Sequence, residues 1–240
     1  SDFPDNISEI IQAYKIPHLY KHQSEGIKYI LGGKNIAVST PTSSGKTAIY
    51  NIPILSTLLT NPLCRALYIF PLKALEQDQF LELKTLILRL NSSLTVAIYD
   101  GDTSTHERKK IRSHPPNILF TTPDMLHSGI IGHHENWVSF FSNLRYLVVD
   151  ELHIYSGVFG SHVLNLFRRF NRICKLYGST PTIITSSATM GNSEELAHKI
   201  FNRPFVAVTK SGAPSSTRHF IFLNSQESTN TIAANLLRKC

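Results

Sequence analysis

The chain has 240 residues, 42% of them apolar, with 24 Lys and Arg against 17 Asp and Glu for a formal charge of +7. This is an ordinary globular composition, long enough for a full core without disulfide or metal staples. Its positive balance makes nucleic acid the first candidate partner. Cys64, Cys174 and Cys240 stand far apart, with no CxxC or Cys/His ligand spacing, which speaks against both a disulfide framework and a zinc site. The start Ser-Asp-Phe-Pro-Asp lacks the basic-then-apolar layout of a signal peptide. No apolar run approaches the roughly 20 residues of a bilayer span. The expectation is a soluble, intracellular protein with no membrane partner.

In chain order, the apolar periodicity predicts helix 20–31, strand 35–40, helix 46–59, strand 65–70 and helix 73–90. Strands 95–99, 117–121 and 145–149 follow, then helix 159–176, strand 182–186, helix 193–201 and strand 205–209. Tyr146-Leu147-Val148-Val149 is continuously apolar, as in a strand covered on both faces. Strands alternating with helices imply a parallel α/β sheet with helices on both faces, joined by right-handed crossovers. The spacing of Val163, Leu166, Phe167, Phe170 and Ile173 marks the core face of a helix. The basic cluster 106–112 reads as a solvated helix face, and His133-His134 as part of a solvated loop. Arg168 and Arg169 fit either a surface salt-bridge network or a contact with a neighbouring domain. The turn-rich stretch 211–216 closes the globular unit, leaving 220–223 and a helical segment 229–239 as an extension leading elsewhere.

Ser39-Thr40-Pro41-Thr42-Ser43-Ser44-Gly45-Lys46-Thr47 lies between a predicted strand and a predicted helix. That context suits a phosphate-binding loop, in which backbone N–H groups and a helix N-terminus face negative phosphates. Thr42, Ser43, Ser44 and Gly45 would form the cradle, Lys46 would reach the β- and γ-phosphates, and the Thr47 hydroxyl would bind Mg²⁺. Thr40 stands where the usual pattern has glycine. The alternative is a Ser/Thr-rich turn capping a helix around a chance Gly-Lys-Thr. Nucleotide hydrolysis also needs a carboxylate for the metal and a group to orient water. Asp150-Glu151-Leu152-His153 follows the most apolar strand, so its acids emerge at a strand's C-terminal end, where open parallel sheets bind ligands. Asp150 is the candidate Mg²⁺ ligand, Glu151 the candidate base, and His153 a sensor or relay for the γ-phosphate. Read alone, Asp150 could equally be a helix N-cap.

Together these motifs resemble the superfamily-two, DEAD/DEAH-box helicases, and further segments follow in the family's order. Tyr20-Lys21-His22-Gln23 looks like the segment whose glutamine, here Gln23, reads the adenine edge. Phe70-Pro71-Leu72-Lys73-Ala74-Leu75, Asp100-Gly101-Asp102-Thr103 and Thr121-Thr122-Pro123-Asp124 look like strand-contacting motifs. Ser187-Ala188-Thr189 looks like the motif coupling hydrolysis to movement. The resemblance implies a RecA-like P-loop fold, ATP and Mg²⁺ as cofactors, and strand contacts from Lys73, Gly101, Thr103, Thr122 and Asp124. It divides the chain into a first RecA-like domain, 1–210, and an extension, 211–240, leading to a second RecA-like domain. More narrowly, Tyr155-Ser156-Gly157-Val158-Phe159-Gly160-Ser161-His162, Lys73 to Gln79 and Gly212-Ala213-Pro214 are similar to the MrfA/YprA helicases. That likeness implies 3′ to 5′ movement on single-stranded DNA or a tailed duplex, in DNA repair. An RNA-directed remodeller shares the broader motifs. No Gln-x-x-Gly-Arg-x-Gly-Arg segment occurs in the chain, so the expectation for these 240 residues is nucleotide binding with slow hydrolysis and no unwinding.

Overall fold

Seven strands form one sheet among the residues that the computed structural model describes, which are 3–41, 44–155, 157–188 and 192–212, the side chains of 157–161 excepted. They are β1 (Ile36–Ser39), β2 (Arg65–Ile69), β3 (Val96–Ile98), β4 (Ile118–Thr121), β5 (Leu144–Val149), β6 (Thr182–Ser187) and β7 (Val206–Val208). Every pairing is parallel, and the order is β3-β4-β2-β5-β6-β1-β7. The predicted extension 220–223 and 229–239 lies outside the described residues.

Alternate residues of each central strand enter different cores, as a period of two requires. Leu67 and Ile69 of β2 join Leu147 and Val149 of β5 on one face. Tyr68, Tyr146 and Val148 enter the opposite face. The second face is covered by α1 (Asn6–Tyr14), α2 (Lys21–Leu31), α3 (Lys46–Thr60) and α4 (Lys73–Arg89). The first is covered by α8 (Gly157–Leu176) and α9 (Ser193–Phe201), with Trp137 and Phe140 from the segment between β4 and β5. Val163, Leu166, Phe167, Phe170 and Ile173 are all buried there, the core stripe read from their spacing.

Two regions depart from the sequence reading. Helix α1 was not expected; it docks through Ile7 and Ile10 and exchanges two side-chain bonds between Asn6 and Ser56 of α3. Residues 123–142, for which the sequence predicts no helix or strand, wind through α6 (Pro123–Met125), a π-helical turn Leu126–Ile130, a 3₁₀ turn Ile131–Trp137 and α7 (Val138–Ser142). His133, exposed and at non-helical φ −132 and ψ 38, marks a kink there as a loop residue would, whereas His134 is partly buried and its Nδ1 meets the Tyr177 hydroxyl at 2.7 Å, which corrects the solvated-loop expectation at that residue alone. Changing helical period within a few residues leaves no single hydrophobic repeat to recognise. The basic cluster is as expected: α5 (Thr105–Ser113) has no buried residue. No helix among the described residues is long and apolar enough to cross a membrane.

Candidate functional site

In a parallel sheet all strands end on one edge, and the strand order sorts what emerges there. The segments after β5, β6 and β1, which are neighbours, carry Asp150–His153, Ser187–Ala188 and the phosphate-loop sequence. Those after β3, β4 and β2, also neighbours, carry Gly101 and Thr103, Thr122 and Asp124, and Lys73. The candidate nucleotide residues and the candidate strand-contact residues thus occupy two adjoining halves of one edge.

On the first half, Gly45 caps the N-terminus of α3 at φ +73, a left-handed conformation that a side chain resists. A Cβ there would meet Gln23 Nε2 at 2.6 Å. Thr40, in place of the usual glycine, is fully buried, and its hydroxyl meets that of Ser44 at 2.7 Å, closing the base of the loop. Thr42 and Ser43 lie outside the described residues, as does Thr189. Gln23 is committed locally: its carbonyl accepts from Tyr20 N–H at 2.9 Å and its amide donates to Gly45 O at 3.1 Å. Each half of the amide keeps a second bonding position for a ligand edge. His22, not singled out by the sequence, is buried. Its Nδ1 accepts from Gly212 N–H at 3.0 Å, so Nε2 carries the proton and donates to Ser44 O at 3.0 Å.

Lys46, nearly buried, donates from Nζ to Ser187 O at 2.8 Å. The Ser186 hydroxyl donates to Asp150 Oδ1. Ser39 Oγ donates to Ala188 O at 3.2 Å, and Ala188 N–H points to His153 Nδ1 at 3.4 Å. Residues 186–188 therefore bond to the lysine, to the carboxylate and to the histidine. Burial pushes the Asp150 carboxyl above its ordinary range, against the Ser186 bond and the attraction of Lys46, which lower it. Glu151 follows at φ +48, and its Oε2 stands 3.1 Å from His153 Nδ1. That nitrogen cannot both accept from Ala188 N–H and donate to Glu151, so its proton selects one neighbour. Among the described residues no three His, Cys, Asp or Glu side chains form a metal cluster. Mg²⁺ does not require one, since it commonly keeps waters and phosphate oxygens beside one or two protein oxygens. The Asp150 carboxylate and Thr47 hydroxyl are hard oxygen donors of that kind.

On the second half, Lys73 Nζ pairs with Asp102 at 2.7 Å, and that bond raises the lysine pKa. A Cβ on Gly101 would meet Lys73 Nζ at 3.4 Å. Thr103 is less available than the sequence suggests: its hydroxyl bonds Asp100 Oδ1 and receives Asp100 N–H, within an Asx-type turn. Arg108, which sequence reasoning passed over inside the solvated cluster, clamps that turn. It donates to Thr103 O at 2.8 Å and Asp100 O at 2.9 Å, with its guanidinium over Tyr99. Only its five-residue offset from the turn hinted at this. Thr122 caps α6 by accepting Met125 N–H, and Asp124 is exposed.

Beneath Lys73 lies Glu76, fully buried, with neither carboxylate oxygen hydrogen-bonded. Burial, and then the Asp100 charge, push its pKa up from 4.5 to about 7. Between those values the unfolded chain releases a proton that the folded chain keeps. Stability is thus full below about 4.5 and falls as pH rises through 7. Urea melts should show Glu76→Gln gaining about 2 kcal/mol on the wild type at pH 8, after allowance for screening, and little at pH 4. An equal difference at both pH values would sink this account.

Comparison with known proteins gives the family. The DEAD/DEAH box helicase family model matches residues 20–196. The chain is 47% identical over 225 residues to the ATP-dependent helicase YprA of Bacillus subtilis, covering 92% of this chain and 30% of that protein. It is 36% identical to the ATP-dependent helicase HRQ1 of Saccharomyces cerevisiae, over 90% of this chain and 20% of that protein. The crystal structure of the DUF1998 helicase MrfA bound to DNA superposes with a TM-score of 0.91 at 44% identity, covering 99% of this chain and 34% of that one. The chain spans about a third or less of each of these relatives. With the motif order, the parallel sheet and the family match in agreement, the chain belongs to the DEAD/DEAH box helicases.

Proposed function

We propose that the chain is the ATP-binding motor domain of a DNA helicase or translocase, coupling ATP hydrolysis to strand movement with a second RecA-like domain. The observation that carries this reading is the bonding of residues 186–188 to Lys46, Asp150 and His153, beside an edge that presents the strand-contact loops. In this reading Ser44, Gly45 and Lys46, with Thr42 and Ser43, hold the phosphates, and Gln23 faces adenine. Thr47 and Asp150 would hold Mg²⁺, which would supply positive charge to offset what develops on the phosphates. Glu151 orients and deprotonates water, and His153 passes the loss of γ-phosphate to Ala188. Lys73, Gly101 and Thr122 hold the backbone of a strand without reading its bases.

DNA rather than RNA is favoured because MrfA, similar over nearly the whole chain, was crystallised bound to DNA. Movement 3′ to 5′ and a role in repair rest on the narrower family likeness. The second domain follows from the small share of each relative that the chain spans. Residues 1–210 are then the first RecA-like domain and 211–240 the start of the passage to the next. The test is ATP hydrolysis by the full-length protein with single-stranded DNA or RNA of equal length. DNA should stimulate by about tenfold or more, a loss of over 1 kcal/mol from the barrier. Stimulation by RNA alone would make the protein an RNA remodeller.

A further inference from the structure

Between α8 and α9 runs a groove of about 1060 Å³ with no Asp or Glu in its lining. Arg168, Arg172 and Lys175 face it from α8, and Lys199 from α9; all four are exposed. Among the described residues, none of the four lies within ion-pair distance of a carboxylate. Arg203 forms part of the wall and is already engaged, donating to Pro181 O at 3.0 Å and to Asn171 Oδ1 at 3.2 Å. Among the described residues Arg168 and Arg169 form no salt-bridge network: Arg169 bonds His127 instead.

Like charges four apart destabilise a helix, so a cationic stripe without counter-carboxylates is a local conflict that a bound anion relieves. The i, i+4, i+7 spacing puts the three α8 cations on one face over about 10 Å of helix axis. Helices that return between parallel strands run against them, so the C-terminal halves of α8 and α9 lie toward the edge opposite the nucleotide residues. The Arg203 bond to Pro181, just before β6, agrees with that position. At its other end the groove shares Asn165 and Arg169 with a smaller cleft of about 370 Å³ that contains Asp124 and His127. The cations therefore continue from one of the candidate strand-contact loops.

We propose that this groove is a second nucleic-acid track, holding the phosphate backbone of DNA that extends past the Thr122–Asp124 loop. The inference rests on the motor-domain reading, and it adds a surface which that reading does not require. Arginine suits it, because the planar guanidinium bonds two phosphate oxygens at once and is weakly hydrated.

Anisotropy of labelled single-stranded DNA of about 8 and about 30 nucleotides tests this across a salt series, since each phosphate contact contributes roughly 0.7 to the salt slope. The triple variant Arg168→Glu, Arg172→Glu, Lys199→Glu should bind the longer strand at least about tenfold more weakly, with a slope lower by about 2. Its binding of the shorter strand and of Mg·ATP should match wild type. The corresponding Arg168→Gln, Arg172→Gln, Lys199→Gln variant, gentler on folding, should fall between the two. Unchanged binding of both strands, or an equal loss on both, would overturn the track while leaving the motor reading intact. Failure of the wild type to bind either strand would overturn both. Displacement of the longer strand by polyglutamate as effective as by DNA would assign the groove to an acidic protein segment instead.

Discussion

Replacing Lys46 by Ala should weaken Mg·ATP binding about 100-fold and leave the fold intact. Lys46 is the first residue of α3, whose N-terminus carries a positive partial charge that favours anions. Its bond to Ser187 O, at 2.8 Å, joins it to a neutral carbonyl. An anionic phosphate oxygen is the stronger acceptor, and a charge-assisted bond in a buried site is worth roughly 1.5–3 kcal/mol, or about 10- to 100-fold in affinity. Contact with more than one phosphate takes the effect to the upper end. Stability should change little, because the variant removes a nearly buried charge along with its single carbonyl bond. Calorimetry on both proteins, with melting curves beside it, separates the two quantities. Binding by the alanine variant within threefold of wild type would refute the phosphate site.

The bonding around Lys46 also marks what a linear sequence can and cannot disclose. The strand–loop–helix setting of Lys46 and the apolar strand before Asp150 were legible because each is a local pattern with a physical cause. Strand order is not local. Nothing in the sequence says that β6 sits between β5 and β1, yet that insertion delivers Ser187 to Lys46 and Ser186 to Asp150. Other residues were hidden for chemical reasons. Arg108 looks like any exposed cation of a basic helix until the turn it clamps is folded beneath it. Glu76 sits among the polar residues of α4, and nothing in its local pattern discloses that the fold buries it completely. His22 sits beside Gln23, and its partners are 22 and 190 residues away. Thr103 shows the converse: its hydroxyl, legible as a candidate phosphate contact, is bonded within its own turn.

Glu151→Gln should slow hydrolysis by about 10²- to 10⁴-fold with Mg·ATP affinity preserved, the range expected for loss of a positioned general base. The backbone supports that role independently of the motif. Glu151 is held at φ +48, a conformation costing a non-glycine residue roughly 1–2 kcal/mol, two residues past the end of a central strand. Continuing the strand would send its side chain to one face of the sheet; the left-handed turn brings the carboxylate within 3.1 Å of His153 Nδ1. Asp150 is less accessible to a water, being buried with its Oδ1 already accepting from Ser186. Glutamine keeps the shape and the strained backbone, so the melting temperature should not move. Glycine relieves the strain and should stabilise modestly, by up to about 1 kcal/mol, while losing the same catalytic function. Single-turnover hydrolysis by the full-length protein, beside nucleotide binding, reads both effects. Retained hydrolysis in the glutamine variant would remove Glu151 as the base, and the strain at residue 151 would then need a purely structural cause.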